Sequence, residues 1–197
     1  MVMLSLLLVF ALFVIWYGGA GKPLDAHDLE QCRRSLDASG ADPHSIQEVL
    51  TLLENDDGKE FVMVNLVRHR PSALYPSGYQ FSDSAREADQ RYGRAIIWPL
   101  IRRASLPVFI GKRSGSFIDP LGADQWHYVA MVRYRSRRDF FNFAMATQKS
   151  NIFVHKWAAI EKTHVFPVKP FISLIWIRTI VAMLLALLGW AITKATL

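Results

Sequence analysis

The chain has 197 residues, room for one ordinary domain with appendages, and carries a formal net charge of +6 with a sequence pI ≈ 9.6. Its single cysteine, Cys32, excludes an intrachain disulfide and a cysteine metal cluster, and reads as a small apolar residue on a helix. No zinc-finger spacing and no basic block interleaved with aromatics occurs, so the surplus charge points to an anionic lipid surface rather than to nucleic acid.

Half of the residues (51%) are hydrophobic, and the excess is concentrated at the two ends. Residues 1–17, MVMLSLLLVFALFVIWY, contain no charged side chain. As a helix they reach about 25 Å at 1.5 Å per residue, slightly under the ~30 Å hydrocarbon core. The next residues, GGA, extend the segment, and Trp16 and Tyr17 suit a membrane interface. Residues 1–20 therefore read as an N-terminal transmembrane anchor. A secretory signal peptide is the competing reading: Gly18 and Ala20 form a small-x-small pattern, but the positive n-region is missing.

Residues 21–58 form a helical linker. A short helix ends at Gly40, and Asp42-Pro43 then caps and opens a second, in which Ile46, Val49, Leu50 and Leu53 recur at helical spacing. Asp57-Gly58 is a turn signal. The domain proper, 59–168, begins with the strand FVMVNLVR (61–68) and a polar loop. Asp83 introduces a long helix through Ala104, which Pro99 should kink near Ala95. Strands in PVFIGKRSGSFI and WHYVAMVRY follow, joined by DPLGADQ. Ser136 and Asp139 make an S-x-x-D helix start, a second helical piece spans about 151–161, and THVFPV is the last strand. The order βαββαβ is a split βαβ: an α+β fold with an antiparallel sheet and helices on one face.

Residues 171–194 are a C-terminal transmembrane helix, with Trp176 and Trp190 as aromatic belts and Arg178 near enough to the end to snorkel toward the headgroups. Basic residues cluster on the domain side of both spans (Lys22, Arg33, Arg34, Lys156, Lys162, Lys169), against Lys194 alone outside. The positive-inside rule then puts the central domain in the cytoplasm and both termini across the membrane. A cleaved first segment would reverse this.

FVMVNLVRHRP, YGRAIIWPLIRRASLPVFIGKRSG, WHYVAMVRYRSRRDFFNFA and NIFVHKWAAIEKTHV resemble an uncharacterised family of ferredoxin-like proteins in the dimeric α/β-barrel superfamily. The resemblance covers about residues 60–167. It rests on the hydrophobic-Asn-Leu strand, the helix with an internal proline and the strand–Ser-x-x-Asp helix start. It implies a ferredoxin-like fold and homodimerisation through the sheets, and no established reaction or cofactor. Related barrels in the superfamily include cofactor-independent monooxygenases, isomerases and haem-handling enzymes.

In the first strand, Val62, Val64 and Leu66 read as the helix-facing row, leaving Phe61, Met63, Asn65 and Val67 opposite. In the third, His127, Val129, Met131 and Arg133 share one face, with Trp126, Tyr128, Ala130, Val132 and Tyr134 on the other; which set looks inward stays open. The candidate ligand pocket combines Asn65 to orient a carbonyl or hydroxyl, His127 to move a proton, and Arg133 to hold a carboxylate, with Met63 and Met131 as walls. Each has a structural rival: a backbone bond for Asn65, exposure for His127, an acidic neighbour for Arg133. His69 reads as a solvated strand exit, and RYRSRR (133–138) as lipid-facing or solvated charge. No metal, nucleotide or hydrolase signature is present. The expected function is a membrane-anchored module that binds a small ligand or partner protein, as a homodimer or membrane-complex subunit. The alternative is a membrane-associated enzyme of the barrel type acting on an apolar substrate.

Overall fold

The computed structural model describes residues 2–19, 21–40, 42–118, 125–170 and 177–195. Among the described residues the elements run in the order α1 (Val2–Gly18), α2 (Ala26–Asp37), α3 (Pro43–Glu54), β1 (Phe61–His69), α4 (Ala85–Ile101), β2 (Leu106–Lys112), β3 (Tyr128–Tyr134), α5 (Arg137–Lys149), α6 (Phe153–Ala159), β4 (Ile160–Val168) and α7 (Ile177–Ala195). The four strands form one antiparallel sheet in the order β2-β3-β1-β4. This α+β arrangement is the expected split βαβ. The expected hairpin loop DPLGADQ lies largely outside the described residues.

Local chemistry starts the helices where the side chains dictate. Asp25 and Asp28 form a reciprocal capping box on α2, Asp42 accepts from the Ser45 amide with Pro43 in the first turn of α3, and Ser136 accepts from the Asp139 amide on α5. The long helix differs from expectation at both ends. Ser84, not Asp83, caps it, accepting from the Glu87 amide at 3.2 Å, and it closes at Ile101. Strand β4 starts at Ile160, earlier than expected, because its first residues pair with Arg68 and His69 across a bulge.

The helices α4, α5 and α6 cover one face of the sheet. Phe61, Met63, Val132 and Tyr134 pack with Leu100 of α4 and Phe143 of α5; Val67 packs with Ala88 of α4 and Ala158 and Ala159 of α6. This reverses the expected row of β1. The odd positions, Asn65 among them, face the helices, and Val62, Val64 and Leu66 face away. Sorting by polarity fails because the Asn65 amide is satisfied in place: Nδ2 donates to the Met63 carbonyl at 3.1 Å and the Ala130 carbonyl at 3.2 Å. The linker helices α2 and α3 dock on the outer side of α5 through Cys32, Leu36, Leu50, Leu53 and Phe141. Burial there pushes the Cys32 thiol up to about 11.

The arginines of the basic run 133–138 are engaged in ion pairs. Arg133 binds Glu60, Arg135 grips Asp139 with two bonds of 2.7 and 2.8 Å, Arg137 sits 3.2 Å from Asp57 and 3.6 Å from Asp56, and Arg138 binds Asp28. The Arg138 bond and the Asp25 amide hold the Asp28 carboxyl well below the usual carboxylate range. Arg133 and Arg135 also donate to the Tyr17 and Trp16 carbonyls, both at the open C-terminal end of α1. These arginines therefore clasp the first helix, the linker and the strand β1 entry onto the β3–α5 corner.

Among the described residues one helix, α7, is long and apolar enough to cross a membrane. The N-terminal segment is an apolar helix of 17 residues and falls short of that length. Of the expected extension only Gly18 belongs to the helix, which stops there, and Gly19 adopts a φ of +68°. The helices α1 and α7 pack along each other. In α7, Ala182 and Leu185 are half-buried and Gly189, which has no side chain to hold a neighbour off, is buried. Leu4, Leu7, Leu8 and Ile15 of α1 and Met183, Leu184, Leu187 and Trp190 of α7 point outward and are exposed. Tyr17 is buried at the junction; Trp16 is exposed, and Trp176 lies outside the described residues. Arg178, in the first turn of α7, lies 4.9 Å from the Tyr17 ring centroid and 3.8 Å from Glu60.

Candidate functional site

The five residues expected to share a pocket are dispersed. Met63 is in the core under the helices, and Asn65 is on the same side, bonded to backbone. Met131 lies across the sheet on the other face, paired with Val64 and Phe109. Arg133 is buried at one end of β3, and His127 precedes the other end, six residues away, roughly 20 Å of extended chain at ~3.4 Å per residue. Their separation follows from strand geometry: alternation divides the set between two faces, and length divides the rest between two ends.

His127 instead joins a polar corner that the sequence pattern does not reveal. The bulge at Arg68/His69 shifts the pairing with β4 so that His69 lies opposite Ile160, and the His69 amide donates to Nδ1 of His127 at 3.0 Å. An accepting Nδ1 leaves the neutral ring's proton on Nε2. The backbone of His127 is fixed as well, its amide donating to the Val67 carbonyl and its carbonyl accepting from Arg113. The His69 ring, far from being a solvated exit, is mostly buried, with Nε2 3.0 Å from Oδ2 of Asp89 on α4. The Tyr128 hydroxyl donates to the other carboxylate oxygen of Asp89 at 3.2 Å. Asp89 thus receives one protein donor on each oxygen. Burial and the Asp89 carboxylate both push the Tyr128 phenol up, keeping it a neutral donor.

An open cavity of ≈ 750 Å³ borders this corner. It exists because β2 is an edge strand. On the helix side of the sheet, Ile110 pairs with Ala130 and Lys112 with Tyr128, and the first turns of α4 pass beside rather than over them, leaving Ile110 67% exposed. The walls are Arg86, Asp89 and Gln90 of α4, Ile110 and Lys112 of β2, and Trp126, His127 and Tyr128 leading into β3. Arg113 also borders it but is committed to the loop, bonding Gly115, Ser116 and Gln125. Among the described residues, no group of three His, Cys, Asp or Glu side chains is placed to hold a metal ion.

Sequence reasoning misses His69, Asp89 and Tyr128. The available signal is Tyr128, a phenol on the same face as Ala130 and Val132, because a buried hydroxyl requires a partner. Its partner lies 39 residues upstream on another element, which periodicity cannot supply.

No family model matches the chain, and no curated protein matches it. Solved structures do. The methylated form of the RPA0582 protein is 26% identical, covers 67% of this chain and 93% of that one, with a TM-score of 0.57. A second structure of RPA0582, a protein of unknown function from Rhodopseudomonas palustris, is 25% identical over 68% of this chain and 96% of that one, again with a TM-score of 0.57. A dabb family protein with a ferredoxin-like fold from Mesorhizobium loti is 10% identical, covering 57% of this chain and 97% of that one, with a TM-score of 0.37.

Proposed function

We propose that this chain is a membrane-anchored, ferredoxin-like module that binds a small ligand in the cavity beside His69 and Asp89. The helix α7 is the span, and α1 lies along it within the apolar layer. The central domain sits on the cytoplasmic side with both termini directed away from it. The observation that carries the anchoring is the outward display of Leu4, Leu7, Leu8, Ile15, Met183, Leu184 and Leu187 on two packed helices leaving the same end of the domain. Such a surface has no polar shell and matches a lipid environment. Full-length chain should stay in the membrane pellet through alkaline carbonate, and a chain lacking 177–197 should be released. Release of the full chain by carbonate would overturn the reading.

The face of the sheet away from the helices supports a homodimer. Leu66, Val129 and Met131 are half-buried and belong to none of the three packed clusters, and a second copy would cover them. The opposing ion pairs of the basic run favour a protein and lipid setting over nucleic acid, since those arginines are already engaged.

A second reading, an enzyme, is favoured by the His69–Asp89 pair alone. A carboxylate that orients an imidazole beside a cavity is equipped for proton transfer. Turnover of a substrate by the purified chain, lost in Asp89→Asn, would establish it.

A further inference from the structure

The chemical class of the ligand follows from which walls of the cavity are already satisfied. Asp89 faces it but has both oxygens occupied, by His69 and Tyr128. Arg113 borders it and is spent on Gly115, Ser116 and Gln125. Two cations, Arg86 on α4 and Lys112 at the end of β2, have no ion-pair partner among the described residues, and they flank the cavity from opposite sides. His127 adds a donor, because its Nδ1 is held by the His69 amide and its proton lies on Nε2. The apolar part of the wall is Ile110, left uncovered at the sheet edge, with Trp126 half-buried beside it.

Resting on the ligand-binding reading above, we infer that the cavity takes a soluble organic anion, a carboxylate attached to a flat apolar body. The carboxylate lies between Lys112, Arg86 and the His127 Nε2–H, and the body lies against Trp126 and Ile110. An organic cation is disfavoured because Asp89, the one carboxylate in the wall among the described residues, already accepts from His69 and Tyr128, while Arg86 and Lys112 would repel a cation. A bilayer lipid is disfavoured by position. The α1 end of the domain is marked by Arg133 and Tyr17, whereas His127 lies at the opposite end of β3, roughly 20 Å away at ~3.4 Å per residue. A ligand reaching this cavity comes from the aqueous side.

The test uses full-length chain in a neutral detergent, titrated calorimetrically with 2-naphthoate and with its uncharged counterpart 2-naphthylmethanol. Naphthoate should bind and the alcohol should bind at least about tenfold more weakly, since a charge-assisted contact is being removed. Arg86→Gln and Lys112→Gln should each weaken naphthoate by about tenfold and leave the alcohol unchanged. His127→Asn keeps an acceptor for the His69 amide while removing the ring donor, and should weaken naphthoate only. All three positions are exposed, and an unchanged melting temperature shows that the fold is intact. Equal affinity for acid and alcohol, or naphthoate binding untouched by both cation variants, would overturn the assignment. Competition by anionic lipid vesicles in place of naphthoate would overturn the soluble source. Carbonate extraction reads the anchor separately, so its failure and the failure of the ligand class are distinguishable.

Discussion

Arg133 lays its guanidinium 3.7 Å from the ring centroid of Tyr17 and donates to that residue's carbonyl at 2.9 Å. One side chain thereby closes the C-terminal end of α1, bonds Glu60 ahead of β1, and satisfies the Ala104 carbonyl, a residue held at a φ of +48°. Arg133 is 5% exposed while Glu60 is 41% exposed, so the arginine is the member whose removal leaves buried acceptors unmet. Arg133→Met should therefore lower stability by about 1–3 kcal/mol, the range for leaving a buried acceptor unsatisfied. It should also open the 18–25 segment to proteolysis. Arg133→Lys should recover only part of this, because an ammonium cannot reach three acceptors as a planar fork does. Thermal unfolding in detergent reads both, and equal melting of all three chains would contradict the clasp.

Gly58 makes the tightest backbone approach on the linker side. Its φ is +69°, and a Cβ there would run into the carbonyl oxygen of Gly21. Gly21 has a similar φ, +64°, with open space around it. Gly21→Ala should cost only the left-handed strain, about 1–2 kcal/mol. Gly58→Ala should cost clearly more, since backbone must move as well. Comparing the two midpoints in denaturant isolates the clash.

Asn65→Val should be nearly neutral, within about 1 kcal/mol. The two carbonyls it serves belong to strands paired within the sheet, and valine suits the strand. It should also leave naphthoate binding unchanged, because Asn65 does not border the cavity. Loss of binding in a stable Asn65→Val chain would restore this residue to the site.

Asp57 joins Arg137 and Lys169, tying the entry of β1 to α5 and to the end of the sheet. The Lys169 hydrogen bond leads the causes that lower its carboxyl to about 2. The folded value lies below the ordinary carboxylate value of about 3.9, so the stability it contributes is present above that value and lost as pH falls toward about 2. Between pH 5 and 2, the melting temperature of Asp57→Asn should fall less steeply than that of the unaltered chain. Parallel curves would show that the pair contributes nothing.

The sequence pattern carries the order of elements, the caps at Asp42 and Ser136, and the split βαβ connection, because these are set by neighbours along the chain. It misassigns the face of β1 for an identifiable reason. Polarity sorts Asn65 away from the core, yet a carboxamide that bonds its own strand and the next carries no burial penalty. The pattern also presents RYRSRR as one patch, although alternation in β3 and the helix start send Arg133, Arg135, Arg137 and Arg138 to acidic partners in α2, in the α3–β1 connection and in α5.

What the sequence by itself determined is therefore local and periodic: an apolar C-terminal helix long enough to span a bilayer, an apolar N-terminal segment whose helix the structure shows to be shorter than a span, and a four-stranded α+β domain between them. What only the tertiary structure decided is which polar groups meet. His69, Asp89, Tyr128 and His127 come from β1, α4 and the start of β3. Their meeting depends on a bulge after Arg68 and on the passage of α4 beside an edge strand. Neither is encoded in the spacing of residues within any one segment, because both arise from how the finished sheet and its helices pack.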